Sequence, residues 1–231
     1  MKVSDSQVLD NPVWEALTSV HSHLGVGEGD ARVYLPDVSP FAGLRSMDTN
    51  AMHCLKASLE PGASAVVLVA TNTLPDVAGL TLAPLFQIQQ MVETRPPASE
   101  PRVQPVRLSE RDVPEMVELA QRTQPGPFGS RTAEMGNYIG VRQEGRLVAM
   151  AGERFRLKGF TEISAVCVDE KYRGRGIASD LIHHLRKEIS GRGEVAFLHV
   201  REDSQATVAL YKHLGFTTRA VFQLYRVCRT A

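Results

Sequence analysis

The sequence predicts an α/β protein with one mixed, mostly antiparallel central sheet flanked by helices, preceded by a smaller α/β region. Three observations predict it. Over residues 103–227, apolar runs of strand length alternate with stretches whose apolar residues recur at helical spacing. EISAVCV, residues 162–168, is almost continuously apolar, as a central strand covered on both faces should be. With 231 residues and 43% hydrophobic content, the chain can bury one large core or two modest ones.

In the first half, Asn11 stands where it could cap a helix with Pro12 at its first position, running through Trp14, Leu17 and Val20. Short strands are expected at residues 31–35, 65–70 and 86–92 from their β-branched content and flanking turns. TRPPASEPRVQP, residues 94–105, is the most proline-rich stretch and reads as a linker dividing residues 1–100 from residues 101–231. Beyond it, VQPVRL reads as a strand. Ser109 caps a helix over residues 110–123, with Asp112 in the capping-box position and Val113, Met116, Val117 and Ala120 on one face. QPGPFGS is a loop. Strands over residues 135–143 and 146–155 meet at the hairpin turn Glu144-Gly145. After EISAVCV and a glycine-bearing loop, Ile177, Leu181, Ile182, Leu185 and Ile189 mark a helix ended by Gly191. EVAFLHV, a short helix closed by Gly215, and a last strand AVFQLYRV complete the pattern.

Composition narrows the function. MKVSDSQVLDNP holds no apolar leader segment, and the longest apolar run, residues 63–70, is far short of the roughly 20 residues a membrane helix needs. A soluble cytoplasmic protein without a membrane partner is expected. Cys54, Cys167 and Cys228 make an odd set without CxxC spacing, which suggests neither a disulfide framework nor a zinc site, and Cys167 should be buried in a strand. His21 and His23 read as a solvated pair, and His183, His184 and His213 as helix-surface residues; no metal is expected. Net charge is zero, but through Arg102 there are 6 basic and 11 acidic residues, leaving 20 and 15 beyond. A basic second half of this size suits a small anion better than nucleic acid.

The loop after EISAVCV carries the chemistry. In VDEKYRGRGIASDLIHHL, residues 168–185, a strand ends, Gly174 and Gly176 follow, and a helix begins near Ile177. Glycines let the backbone visit positive φ and come close to a ligand, and free N–H groups gather at the positive end of the helix dipole. Arg173 and Arg175 add charge-assisted donors, with Lys171 nearby. The stretch lacks both GxxxxGK[ST] and GxGxxG. Taken alone, it is either a phosphate-sized anion site or a basic turn in water.

The surrounding residues resemble the GNAT superfamily of acyl-CoA-dependent N-acetyltransferases. Arg173, Gly176 and Ala178 match its [R/Q]xxGxG/A loop, and FLHVREDSQATVALYKHLGF matches its later strand, turn and LY…GF helix, so the likeness covers about residues 103–227. The resemblance implies acetyl-CoA as co-substrate, its pyrophosphate cradled by Arg173, Gly174, Arg175, Gly176, Ile177 and Ala178. It also implies pantetheine amides paired along residues 165–168, an oxyanion held by the N–H of Val166 or Cys167, and Val168 closing that edge. Ser204 stands where many relatives have Asn. Tyr211, in LY, would protonate the leaving thiolate. His199 occupies a position where amine-acetylating relatives often carry a Glu base; Glu162 and Glu153 are rivals for that role, and each is also an ordinary strand residue. Phe128 lies where the family shapes its acceptor pocket. The implied reaction is acetyl transfer to a primary amine, of a small molecule or of a peptide or protein, by direct attack in a ternary complex. A non-catalytic acyl-CoA-binding or sensing module is the alternative. The first half could be a degenerate copy of the same fold, covering one side of the site or forming a homodimer surface.

Overall fold

The computed structural model describes residues 6–70, 73–96 and 101–231. The predicted boundary at residue 100, within the linker, and the first five residues of the chain lie outside these. The first half contains α1 (Pro12–Leu17), β1 (Gly25–Val26), β2 (Ala31–Tyr34), β3 (Phe41–Leu44), α2 (Thr49–Ser58), β4 (Ser64–Val69) and the long β5 (Leu80–Glu93). The second contains β6 (Val106–Arg107), α3 (Val113–Thr123), β7 (Tyr138–Gln143), β8 (Arg146–Leu157), β9 (Phe160–Val168), α4 (Ile177–Gly191), β10 (Val195–Arg201), α5 (Gln205–His213) and β11 (Phe216–Arg229).

All the strands join one mixed sheet in the order β1-β2-β3-β4-β11-β5-β10-β9-β8-β7-β6. The order contains a repetition. β2 and β3 are antiparallel, α2 crosses over, and β4 returns parallel to β3. β8 and β9 are antiparallel, α4 crosses over, and β10 returns parallel to β9. Each half then gives its last strand to the other: β5 pairs antiparallel with β10, β11 pairs antiparallel with β4, and the two meet at the centre from Phe216↔Glu93 to Arg229↔Leu80.

Each helix covers a core suited to its apolar face. The α4 stripe of Leu181, Ile182, Leu185 and Ile189 is fully buried against β8–β10, while Met116, Leu119 and Ala120 of α3 cover β7–β9. α2 covers the first half's sheet through Ala51, Met52 and Leu55. A further core under α1 joins Leu9, Val13, Leu17 and Tyr34 to Phe155, Phe197 and Phe222, so apolar burial ties the halves together.

Several sequence expectations change. Asn11 precedes α1 but donates from Nδ2 to Leu44 O at 2.6 Å instead of capping the helix, and α1 stops at Leu17, leaving Val20 exposed. β1, β3 and α2 carried no clear periodic signal, and VQPVRL forms only the two-residue β6. The Ser109–Asp112 capping box forms, opening a 3-10 turn that leads into α3. Glu144 and Gly145 both take positive φ, as their hairpin turn requires. His21 is buried, not solvated: its Nδ1 meets the Tyr34 hydroxyl at 2.8 Å, and burial lowers its pKa to about 4. His183 is likewise buried in α4.

Candidate active site

β9 and β10 pair at three positions only, ending at Phe197↔Glu162. Beyond that point β9 continues along β8 while β10 turns its other edge to β5, so the two parallel strands part and the edge of β9 over residues 163–168 faces a cleft. Within this edge Ala151 of β8 lies opposite both Ala165 and Val166, a β-bulge, and Ala165 adopts φ 51°. A left-handed alanine costs about 1–2 kcal/mol, and such strain collects at functional sites. Val166 is half-buried here, and burial raises the pKa of the Cys167 thiol.

The glycine loop closes the wide end of the cleft. Gly174 and Gly176 take φ 74° and 81°, and no side chain caps the α4 N-terminus. The first-turn N–H groups of Ile177, Ala178 and Ser179 have no helical partner and point toward the loop. Arg173 Nε donates to Val168 O at 3.2 Å, Arg175 Nη2 to Lys171 O at 3.2 Å, and the Arg175 guanidinium stacks 5.2 Å from the Tyr172 ring. Arg102, absent from the sequence expectations, extends over the loop: its Nη2 lies 3.5 Å from Arg175 O and its Nε 3.8 Å from Asp180. A Cβ at Gly176 would stand 2.2 Å from that guanidinium. Open N–H groups, a cradle that a side chain would fill and several cations together fit a phosphate anion. A cavity of about 620 Å³ beside the loop is lined by Arg122, Arg146, Lys171 and Arg173 as well as Asp169.

The predicted catalytic side chains fall into two groups. Tyr211 on α5 is 9% exposed, sits edge-on to Phe216, and has no hydrogen-bond partner for its hydroxyl among the described residues. Burial, reinforced by the Glu162 charge, pushes its pKa up to about 12, so its hydroxyl stays protonated at neutral pH. Ser204 opens α5 without spending its hydroxyl as the helix cap.

Glu162 and His199, rivals in sequence, touch each other: His199 Nδ1 and Glu162 Oε1 are 2.7 Å apart, with both side chains buried. Arg154 grips the same carboxylate through two nitrogens at 2.6 and 2.8 Å. Burial pushes Glu162 up, but Arg154 and His199 more than offset it and hold the carboxyl at about 2. Gln90 of β5 settles the tautomer. Its Nε2 donates to Leu9 O at 2.9 Å and faces His199 Nε2 at 3.3 Å, while its Oε1 accepts from Arg219 at 3.0 Å. An amide oriented this way makes His199 Nε2 an acceptor, so Nδ1 carries the hydrogen given to Glu162. Glu153 is fully buried and bound to Arg192 at 2.7 Å, away from this pair. Neither Gln90 nor Arg154 was visible as a site residue in sequence, because their partners lie 8 to 109 positions away.

Phe128 meets Tyr138 edge-on at 5.7 Å and packs against the cluster containing Ala165 and Cys167, on the α3 side of the cleft. Among the described residues no group of three or more His, Cys, Asp or Glu side chains is placed to hold a metal, and no helix is long and apolar enough to cross a membrane.

Comparison with known proteins agrees with this architecture. Residues 138–227 match the family of FR47-like proteins. A crystal structure from Novosphingobium aromaticivorans, described as from the GNAT family, is 35% identical with a TM-score of 0.87, covering 96% of this chain and 99% of that one. The N-alpha-acetyltransferase RimI of Mycobacterium tuberculosis is 38% identical over 96 residues, which span 40% of this chain and 60% of that protein. The ribosomal protein bS18 alanine N-acetyltransferase of Salmonella typhimurium is 30% identical over 125 residues, 51% of this chain and 83% of that one. With a relative matched over nearly its whole length and the parted strands and glycine loop in place, this chain belongs to the GNAT superfamily of N-acetyltransferases.

Proposed function

We propose that the chain transfers an acetyl group from acetyl-CoA to a primary amine by direct attack in a ternary complex, with a peptide or protein α-amine as the favoured acceptor. The observation that carries this reading is the parting of β9 from β10 ahead of an uncapped, glycine-bearing helix N-terminus. The thioester supplies an activated acyl carbon. Arg173, Arg175 and the N–H groups of residues 174–178 bind the pyrophosphate, and the free edge of β9 pairs with the pantetheine amides. The bulged backbone at Ala165–Val166 presents an N–H to the developing oxyanion. Tyr211 returns a proton to the departing thiolate as the new C–N bond forms and the C–S bond breaks.

The acceptor class follows from the base. Both nitrogens of His199 are engaged and Glu162 is held at about 2, so neither is ready to strip a strongly basic amine. At pH 7 a lysine amine is neutral about once in 2500 molecules, an α-amine about once in ten. An α-amine needs only a water to carry its proton away. The names of the Mycobacterium and Salmonella relatives, an N-alpha-acetyltransferase and a ribosomal protein bS18 alanine N-acetyltransferase, point the same way. We place the protein in the cytoplasm.

The test is thiol release from acetyl-CoA over a panel of peptides with free α-amines and of lysine-bearing peptides blocked at the N-terminus. Tyr211→Phe should lower kcat about a hundredfold while leaving coenzyme A affinity unchanged. Unaltered kcat in that variant overturns the role of Tyr211. Tight coenzyme A binding with no turnover on any amine establishes the alternative, a non-catalytic acyl-CoA sensor.

A further inference from the structure

The first half repeats the strand–helix–strand crossover but takes no part in the anion site. What it does instead is visible where it touches the loop carrying Phe128. That loop, after α3, is rich in glycine and proline and has little regular structure of its own. Its conformation is fixed from outside. Thr132, only 4% exposed, donates its hydroxyl to Val38 O at 2.6 Å and accepts from Gly129 N at 2.8 Å. Arg131 N donates to Asp37 O at 3.0 Å, and the Arg131 guanidinium lies 3.5 Å from the Asp37 carboxylate while gripping Glu134 at 2.7 and 2.8 Å. The approach is close enough that a Cβ at Gly129 would stand 2.6 Å from Asp37 O. Met135, at the far end, is buried in the core under α1.

We infer that the Asp37–Val38 turn of the first half is a specificity determinant for the acceptor, acting as a clamp that sets where Phe128 stands against the bulged end of β9. The inference rests on the acetyl-transfer reading. Phe128 packs in the same cluster as Ala165 and Cys167, so a shift of the clamped loop moves the wall that an acceptor must pass to reach the cleft. Asp37, Val38, Arg131 and Thr132 act through the loop and are positioning residues. A clamp made mainly of backbone carbonyls admits one loop geometry, and a single geometry selects among amines by the shape of their neighbouring residues.

The test compares Thr132→Val, which keeps volume but deletes the hydrogen bond, with Gly129→Ala, which forces the turn and the loop apart. Acceptor kinetics are measured over the peptide panel, alongside the acetyl-CoA KM and amide hydrogen exchange at Arg131. Each variant should raise the acceptor KM about tenfold or reorder the panel, with the acetyl-CoA KM within about twofold of the parent and faster exchange at Arg131. Faster exchange with the acceptor KM and ranking unchanged overturns the inference, as does an equal rise in both KM values. If the parent enzyme binds coenzyme A yet turns over no amine, the acetyl-transfer reading has failed first, and that outcome is read on the parent alone.

Discussion

Two crossovers in this chain share a topology and differ at one point. In the second half β9 leads through Gly174 and Gly176 into α4, whose N-terminus no side chain caps. In the first, β3 leads through residues 45–48 into α2, where the Asp48 carboxylate accepts from Ala51 N at 2.9 Å and from the Ser46 hydroxyl at 2.6 Å. The α2 N-terminus already holds its own anion. The glycine loop leaves that place open, at the cost of the stabilisation a cap would give. A repeated fold therefore need not repeat a site.

Three substitutions probe this difference between the halves. The largest effect is expected at the seam the halves share. Glu162→Gln leaves Arg154 and the His199–Gln90 chain without their charge partner and should cost about 3–5 kcal/mol in chemical denaturation. It should also change the pH profile. Glu162 has a folded value of about 2 against an ordinary 4.5, so the native state binds fewer protons in that window. Its contribution is complete above about pH 4.5 and fades as pH falls toward 2, and the variant should lose this part of the acid sensitivity. Next, Gly176→Asp sets a carboxylate among the open N–H groups of α4 and should weaken coenzyme A binding about a hundredfold by calorimetry; unchanged affinity would remove the loop from the binding site. The smallest effect belongs to Asp48→Ala, which should lower Tm by about 2–4 °C and leave coenzyme A affinity as it was, whereas a gain of a second binding site would show that the halves are more alike than their caps.

How far the sequence reaches follows the same division. The second half was legible because its signals are local: the capping box at Ser109 and Asp112, the Glu144-Gly145 turn, the helical stripe of α4 and the two linked motifs each lie within a few residues. The glycine loop and the helix start behind it were legible for that reason. The first half was legible only in part: the strands expected at residues 31–35, 65–70 and 86–92 fall on β2, β4 and the end of β5, whereas β1 and β3 are two and four residues long, α2 is weakly amphipathic, and only pairing with distant strands makes them regular. Within the site, the meeting of Glu162 with His199 and Gln90, the reach of Arg102 and the strained Ala165 all depend on contacts across the sheet that no periodicity announces.

The exchange of β5 and β11 sets a timetable for the chain's synthesis. β5 leaves the ribosome with neither of its neighbours made, and both its edges stay unpaired until β10 and β11 follow, the latter beginning at Phe216. At ordinary elongation rates the wait is roughly ten seconds. During it the nascent first half exposes fourteen residues of strand that could pair with another chain. The same exchange means that neither half owns a complete sheet, so a nick in the linker should yield two fragments that fold only together.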